Sequence, residues 1–242
     1  MLPVNTLPVN GLRIGDVSAQ YENLVTPTGF TFSIWSIIYL GLITFVILHA
    51  FQVQQSNSSS RSLSVYLGPP FLIGCAANIG WIFSWHYQAI DLSLIFMGLL
   101  LVSLIDINLR VSTLLKENNT RQFRWFVWAP LGLYLGWICV ATIVNVAVYL
   151  TSIGWDQLST SSDFWAVAMI SIGGLIGLGL LSKMRLVPAA ISIGWSFFGI
   201  IMKQRQLQGF NAVMTISMIM IGLLVVAIGL TYFKRNQSKV TS

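Results

Sequence analysis

Apolar residues in this chain neither alternate with polar ones, as in a half-buried strand, nor keep to one stripe of a helix. They fill whole stretches, at 30–51, 63–85, 92–111, 125–150, 164–181, 186–202 and 210–233. Crossing a hydrocarbon core of about 30 Å takes roughly 20 helical residues. The pattern predicts an all-α, polytopic transmembrane bundle of seven spans. Only Ser182, Lys183, Met184 and Arg185 separate the fifth and sixth stretches, which predicts a tight helical hairpin. The first 29 residues contain Pro3, Pro8, Gly11, Gly15, Pro27 and Gly29 but neither a basic start nor an apolar run. They are neither a signal peptide nor a span, and are expected to fold back over the mouth of the bundle.

Composition excludes a water-soluble globule. Of 242 residues 55% are hydrophobic and 8% charged, whereas a soluble domain carries about 25% charged residues. A net charge of +6 would suit nucleic acid, but the basic residues stand at the ends of the apolar stretches, where headgroups and cytoplasmic loops hold them. The expected partner is the lipid bilayer, with no nucleic acid. One side of the seven spans receives ten Lys and Arg, namely Arg61, Arg110, Lys116, Arg121, Arg124, Lys183, Arg185, Lys234, Arg235 and Lys239, and the other receives Arg13, Lys203 and Arg205. By the positive-inside rule the N-terminus is outside and the C-terminus cytoplasmic, and a bacterial plasma membrane is the expected location. The patterns Asn57-Ser58-Ser59 and Asn118-Asn119-Thr120 then fall in cytoplasmic loops and are discounted as glycosylation sites. Cys75 and Cys139 lie inside apolar stretches, as small packing residues rather than a disulfide framework or a metal cluster.

Ionisable groups within spans are scarce. Asp106 and Arg110 stand four apart near one end of the third span, where they can pair or snorkel. His49 and His86 end consecutive, oppositely directed spans, about 30 Å apart, and cannot ligate one iron. No catalytic or metal-binding residue is assigned, and any chemistry would lean on the ligand.

Tryptophan is the unusual signal, with nine in the chain. Trp125 and Trp128 at one edge and Trp85, Trp155 and Trp165 at the other match an aromatic belt. Trp35, Trp81, Trp137 and Trp195 lie deeper, where the N–H needs a partner or a ligand. Asn78 and Asn145 are also inside spans and either bond each other as interhelical glue or face a ligand. At about 1.5 Å per residue, Trp35, Tyr39, Asn78, Trp81, Ala141 and Asn145 fall in the outer half and Trp137 near the middle. Three helices thus deliver rings and amides to one layer, the makings of a pocket for a flat, largely apolar ligand. The pairs Gly132/Gly136 and Gly173/Gly177 permit close helix approach, within the chain or across a homodimer. Trp81 and Trp195 sit in similar surroundings four spans apart, a faint parallel repeat such as transporters carry.

Read in order, Pro27-Thr28-Gly29-Phe30-Thr31-Phe32-Ser33-Ile34-Trp35 with Tyr39, then Asn78-Ile79-Gly80-Trp81, then Tyr134-Leu135-Gly136-Trp137 with Ala141 and Asn145, resemble the motifs of the TspO/translocator family of tryptophan-rich sensory proteins and peripheral benzodiazepine receptors. The resemblance covers roughly 26–150. Departures are Phe30 in place of the usual Trp, an interval from Phe32 to Trp35 shorter by one, and Pro130 earlier than the usual Pro before the Tyr. The family's first helix has no counterpart, as in an enlarged, distant branch shortened at its N-terminus. The resulting division is an outer-side segment at 1–29, a TspO-like four-helix part at 30–150, and three additional helices with a short tail at 151–242.

The resemblance implies ligand binding at Trp35, Tyr39, Asn78, Trp81, Tyr134, Trp137, Ala141 and Asn145, with a porphyrin or haem as the ligand. The protein would bind this or another hydrophobic small molecule as sensor, carrier or regulator. The alternative is a small-molecule transporter with parallel repeats. The charge count makes one direct prediction: a reporter fused after Ser242 behaves as cytoplasmic. Labelling of a cysteine placed at Asn118 from outside intact cells would overturn it.

Overall fold

The structure, a computed structural model, describes residues 10–21, 23–54, 58–117, 120–155, 162–207, 209 and 211–240. Pro3, Pro8, Asn57, Asn118, Asn119 and Phe210, which figure in the sequence reading, lie outside the described residues. The regular elements are helical: α1 (Ile14–Gln20), a 3-10 turn (Gly29–Ser33), α2 (Ile34–Gln54), α3 (Ser58–His86), α4 (Ile90–Glu117), α5 (Arg121–Phe123), a π-helical turn (Arg124–Trp128), α6 (Ala129–Ser152), α7 (Ser162–Met184), α8 (Val187–Leu207) and α9 (Ala212–Val240).

Among the described residues six helices are long and apolar enough to cross a membrane: Gly29–Phe51, Val65–His86, Ile90–Lys116, Arg121–Ser152, Ser162–Met184 and Ala212–Phe233. They agree closely with six of the seven expected stretches. The remaining stretch is α8, in which Ser192, Ser196 and the polar run 203–206 dilute the apolar residues. The expected hairpin is present. Arg185 adopts a left-handed φ of 52°, and the Arg185 and Leu186 amides donate back to the Leu181 and Leu180 carbonyls at 3.0 and 3.2 Å, the usual closure of a helix that must turn at once.

The helices form one bundle around α6. In the most apolar stretch of the α6 span 72% of residues are buried, against 22–39% in the other five. Outer faces are apolar as lipid requires, with Ile37, Leu72, Ile95, Val102, Leu175 and Val225 more than half exposed. α6 packs most closely on α4 and α8, and α7, α8 and α9 pack on one another. Pro130 cannot donate to the preceding turn, and the π-helical stretch just before it takes up the mismatch. Gly41 of α2 closes on this proline, where an added Cβ would lie 2.8 Å from its ring.

Helix contacts elsewhere also depend on missing side chains. A Cβ on Gly136 would run into the Ala189 carbonyl of α8, and one on Gly132 would press on Leu186 and Pro188. Gly173 faces Ile143 and Phe197, and Gly177 faces Leu224 and Ile193. Both small-residue pairs are therefore occupied by helices of the same chain.

The α6–α8 contact generates a comparison. Gly136→Ala forces two backbones apart, and overpacking of this kind costs about 1–3 kcal/mol, so the midpoint of thermal unfolding in detergent should fall by several degrees. Gly98→Ala, where an added Cβ meets nothing within 4 Å, should leave it unchanged. Equal losses would remove backbone crowding as the cause.

Candidate functional site

One end of the bundle is covered by the N-terminal segment. Ile14, Val17 and Ser18 of α1 are buried, and the Arg13 amide donates to Asp16 Oδ2 at 2.9 Å to close the first turn of the helix. Trp85 Nε1 at the end of α3 donates to the Ile14 carbonyl at 3.1 Å, and Gln88 Nε2 donates to Gln20 Oε1 at 2.8 Å. Beyond α1, Asn23 Oδ1 accepts from the Thr26 amide and hydroxyl, both at 2.8 Å, which folds the segment into a turn. α8 then holds it from the side. Gln204 Nε2 donates to the Leu24 carbonyl at 3.0 Å, the Thr28 amide donates to the Gly199 carbonyl at 3.3 Å, and Trp195 Nε1 donates to the Thr31 carbonyl at 2.9 Å. Gly199 is obligatory, since a Cβ there would collide with Thr31.

This cover corrects the reading of Trp85 as a member of the aromatic belt. Its ring is 3% exposed and stacks on Trp81 at 5.9 Å, because α1, rather than headgroups, lies over the end of α3. Trp128 is half-buried, with the Arg124 guanidinium 5.9 Å from its ring, whereas Trp125, Trp155 and Trp165 are exposed as a belt requires.

Beneath the cover Trp35 organises the aromatic residues. Its ring stacks on Tyr39 at 5.1 Å and on Trp81 at 5.9 Å, and meets Tyr134 and Trp137 edge-on at 5.7 and 6.0 Å. Phe32 of the 3-10 turn meets Trp137 edge-on at 5.7 Å. Trp35 and Tyr39 stand one turn apart on α2 and Tyr134 and Trp137 nearly one turn apart on α6, so each pair shares a helix face. Aromatic pairs of this geometry are worth about 0.5–1.5 kcal/mol beyond burial.

The eight expected site residues do not share one pocket. Trp35, Trp81, Trp137, Ala141 and Asn145 line a cavity of about 30 Å³ under α1, together with Ile14, Phe32 and Trp85. Tyr39, Asn78 and Tyr134 line a different cleft of about 320 Å³ among α2, α3, α4 and α6. The ring of Trp35 and its stack on Tyr39 stand between the two groups. Outside the cover a third hollow of about 700 Å³ shares Ile14, Pro27 and Phe32 with the small cavity and carries Arg13, Asp16 and Lys203.

Hydrogen bonding separates the two inner spaces further. Trp35, Trp81, Trp137 and Asn145 are each at most 3% exposed, yet among the described residues the three indole Nε1 atoms and the Asn145 Nδ2 have no partner. Among the described residues four N–H donors therefore stand unpaired around one small space whose lining includes no ionisable side chain. In the cleft the orphan is an acceptor, Asn78 Oδ1. The two amides do not bond each other: Asn145 Oδ1 lies 3.2 Å from the Ser93 hydroxyl, whose one proton is shared with the Ile90 carbonyl at 2.8 Å, and Asn78 Nδ2 donates to the Tyr39 hydroxyl at 3.0 Å.

Sequence reasoning missed Ser93, Ser18 and Asn108. Asn108 is fully buried and its Nδ2 bridges the Leu104 and Leu131 carbonyls at 2.9 and 3.1 Å, tying α4 to α6. Its neighbours Asp106 and Arg110 drew attention to the polar face of α4 instead. Those two form an ion pair at 2.9 Å, and Arg110 Nη1 also donates to the Tyr66 carbonyl at 2.8 Å. The histidines stay apart, His86 bonded through Nδ1 to the Ile82 carbonyl at 2.7 Å and His49 stacked on Phe45. Trp195 packs on Phe30 and Phe198 and does not line the small cavity.

No curated protein and no solved structure matches this chain. A family model described as TSPO-like protein matches residues 2–230, which takes in α7, α8 and most of α9 as well as the helices that carry the motifs. It is an integral membrane protein of the TspO kind, and the chain belongs to the TSPO-like protein family.

Proposed function

We propose that this protein binds a flat, largely apolar molecule with hydrogen-bond acceptors on its edge, a tetrapyrrole or a similar hydrophobic compound, and acts as a sensor, carrier or regulator. The observation that carries the reading is the set of four unpaired donors on Trp35, Trp81, Trp137 and Asn145 around one cavity. A buried polar group without a partner costs about 1–3 kcal/mol by mutational measures, and an acceptor-bearing ligand relieves several such costs at once. In this reading Ala141 keeps the floor low, and Tyr39, Asn78 and Tyr134 brace the ring of Trp35 from below.

A cavity of about 30 Å³ accommodates about two waters, so the body of such a ligand rests in the outer hollow of about 700 Å³. One edge enters past Phe32, which borders both spaces. Arg13 and Lys203 outnumber Asp16 at the outer hollow, and the net positive charge suits acidic groups on the ligand. Binding is favoured over rocking of two halves, because α6 and α8 meet backbone to backbone at Gly136 and Ala189 and the Trp195 N–H is engaged by Thr31 rather than turned toward Trp81.

α8 completes seven spans in this proposal. Its 21 residues reach about 31 Å at 1.5 Å each, from Gly132 near the start of α6 to Leu24 in the cover. The positive-inside count then sets the covered end outside and the C-terminus in the cytoplasm.

The donor argument is tested by titrating the purified protein into protoporphyrin and following the Soret band. Trp137→Phe keeps a ring and removes one donor, so affinity should fall about two- to tenfold, the equivalent of one hydrogen bond of about 0.5–1.5 kcal/mol. Trp128→Phe should change nothing. Equal effects at the two positions would show that the cavity donors do not contact the ligand.

A further inference from the structure

We propose that the cleft on the far side of the Trp35–Tyr39 stack is a second binding site, entered from the bilayer, for an elongated lipid alcohol such as a prenyl or long-chain alkanol. Its volume of about 320 Å³ is at the lower end of small-molecule pockets. Its outer wall on α2 is formed by Ile43, Val46 and Ile47, all about half exposed on the lipid-facing surface. From Tyr39 to Ile47 that wall extends about 12 Å at 1.5 Å per residue, a length that suits a chain lying along the helix. α2 is held to α3 by few contacts, whereas α3 and α4 are closely packed, so the cleft opens beside α2.

The polar end of the cleft defines the headgroup. Asn78 Nδ2 donates to the Tyr39 hydroxyl oxygen at 3.0 Å, and Asn78 Oδ1 has no partner among the described residues. Within hydrocarbon no water supplies the missing donor. A hydroxyl answers both groups, since it donates to the amide oxygen and accepts from the Tyr39 O–H. It also serves if the amide is turned the other way, because it then accepts from the Asn78 N–H. A carboxylate or phosphate has no such match, as the lining residues of the cleft include no cation. The site is independent of the donor cavity, which lies on the opposite side of Trp35 and is lined by different residues.

The experiment uses the full chain in phosphatidylcholine nanodiscs and a dodecanol with a diazirine on its chain, with crosslinked peptides mapped by mass spectrometry. Labels should concentrate in 39–47 and 71–78 and fall at least fivefold with excess farnesol, but not with farnesyl methyl ether, which cannot donate. Asn78→Leu should lose at least fivefold of this labelling. Val46→Trp fills the cleft from the lipid side without touching the polar end, and should lose as much even if Asn78→Leu fails to fold. Trp155→Phe should label like the native chain. Equal competition by the methyl ether, native labelling in Val46→Trp, or stronger competition by a sterol than by farnesol would overturn the proposal.

Discussion

At Gly136 no side chain separates α6 from α8, and the backbone of one helix lies on the Ala189 carbonyl of the other. The position of α8 follows from that contact, and the position of the cover follows from α8. Gly199 leaves the space into which Thr31 fits, its carbonyl accepts from Thr28, and Trp195 binds the Thr31 carbonyl. The 3-10 turn held in this way sets Phe32 on Trp137 and starts α2 so that Trp35 meets four aromatic rings. A Cβ at residue 136 would be felt in the aromatic centre through three successive contacts, none of which involves a charge.

Among the described residues none that lines the small cavity is charged, for a physical reason. An ionised group in hydrocarbon costs several kcal/mol, whereas an indole N–H can be left waiting at a fraction of that cost. Indole also contributes a large flat face, which satisfies lipid-phase packing when the N–H has no partner. A membrane protein can thus keep donors in reserve without burying ions. The same reasoning applies on the other side of Trp35, where Asn78 presents an amide oxygen. Two spaces separated by one ring thus carry different orphans among the described residues, N–H donors in one and an amide oxygen in the other.

Much of the fold is legible in the sequence because the bilayer imposes a length. The stretches at 30–51, 92–111 and 164–181 reappear as helices with ends displaced by a few residues. α8 is harder to read, since a helix enclosed by α6, α7 and α9 can afford Ser192, Ser196 and Gln204, all fully buried. Counting residues gives depth along a helix but not its rotation about the axis. Depth correctly puts Trp35, Trp81 and Asn145 close together, and it equally puts Asn78 there, although Asn78 faces the other space. Trp85 eludes the count for a different reason. Its depth is that of a belt residue, and only the tertiary placement of α1 removes it from the interface.

The motifs that carry the family resemblance all lie before residue 150, yet the contacts that hold them in place do not. Gln204 binds Leu24, Gly199 receives Thr31 and Trp195 holds the carbonyl at the end of the Pro27-Thr28-Gly29-Phe30-Thr31 motif. α8 is itself fixed from behind by α7 and α9, where Gly177 closes on Ile193 and Leu224. A motif at the mouth of a bundle needs a rigid wall to lie against, and in this chain that wall is made by the last three helices. The family match through residue 230 takes in these helices together with the motifs they hold.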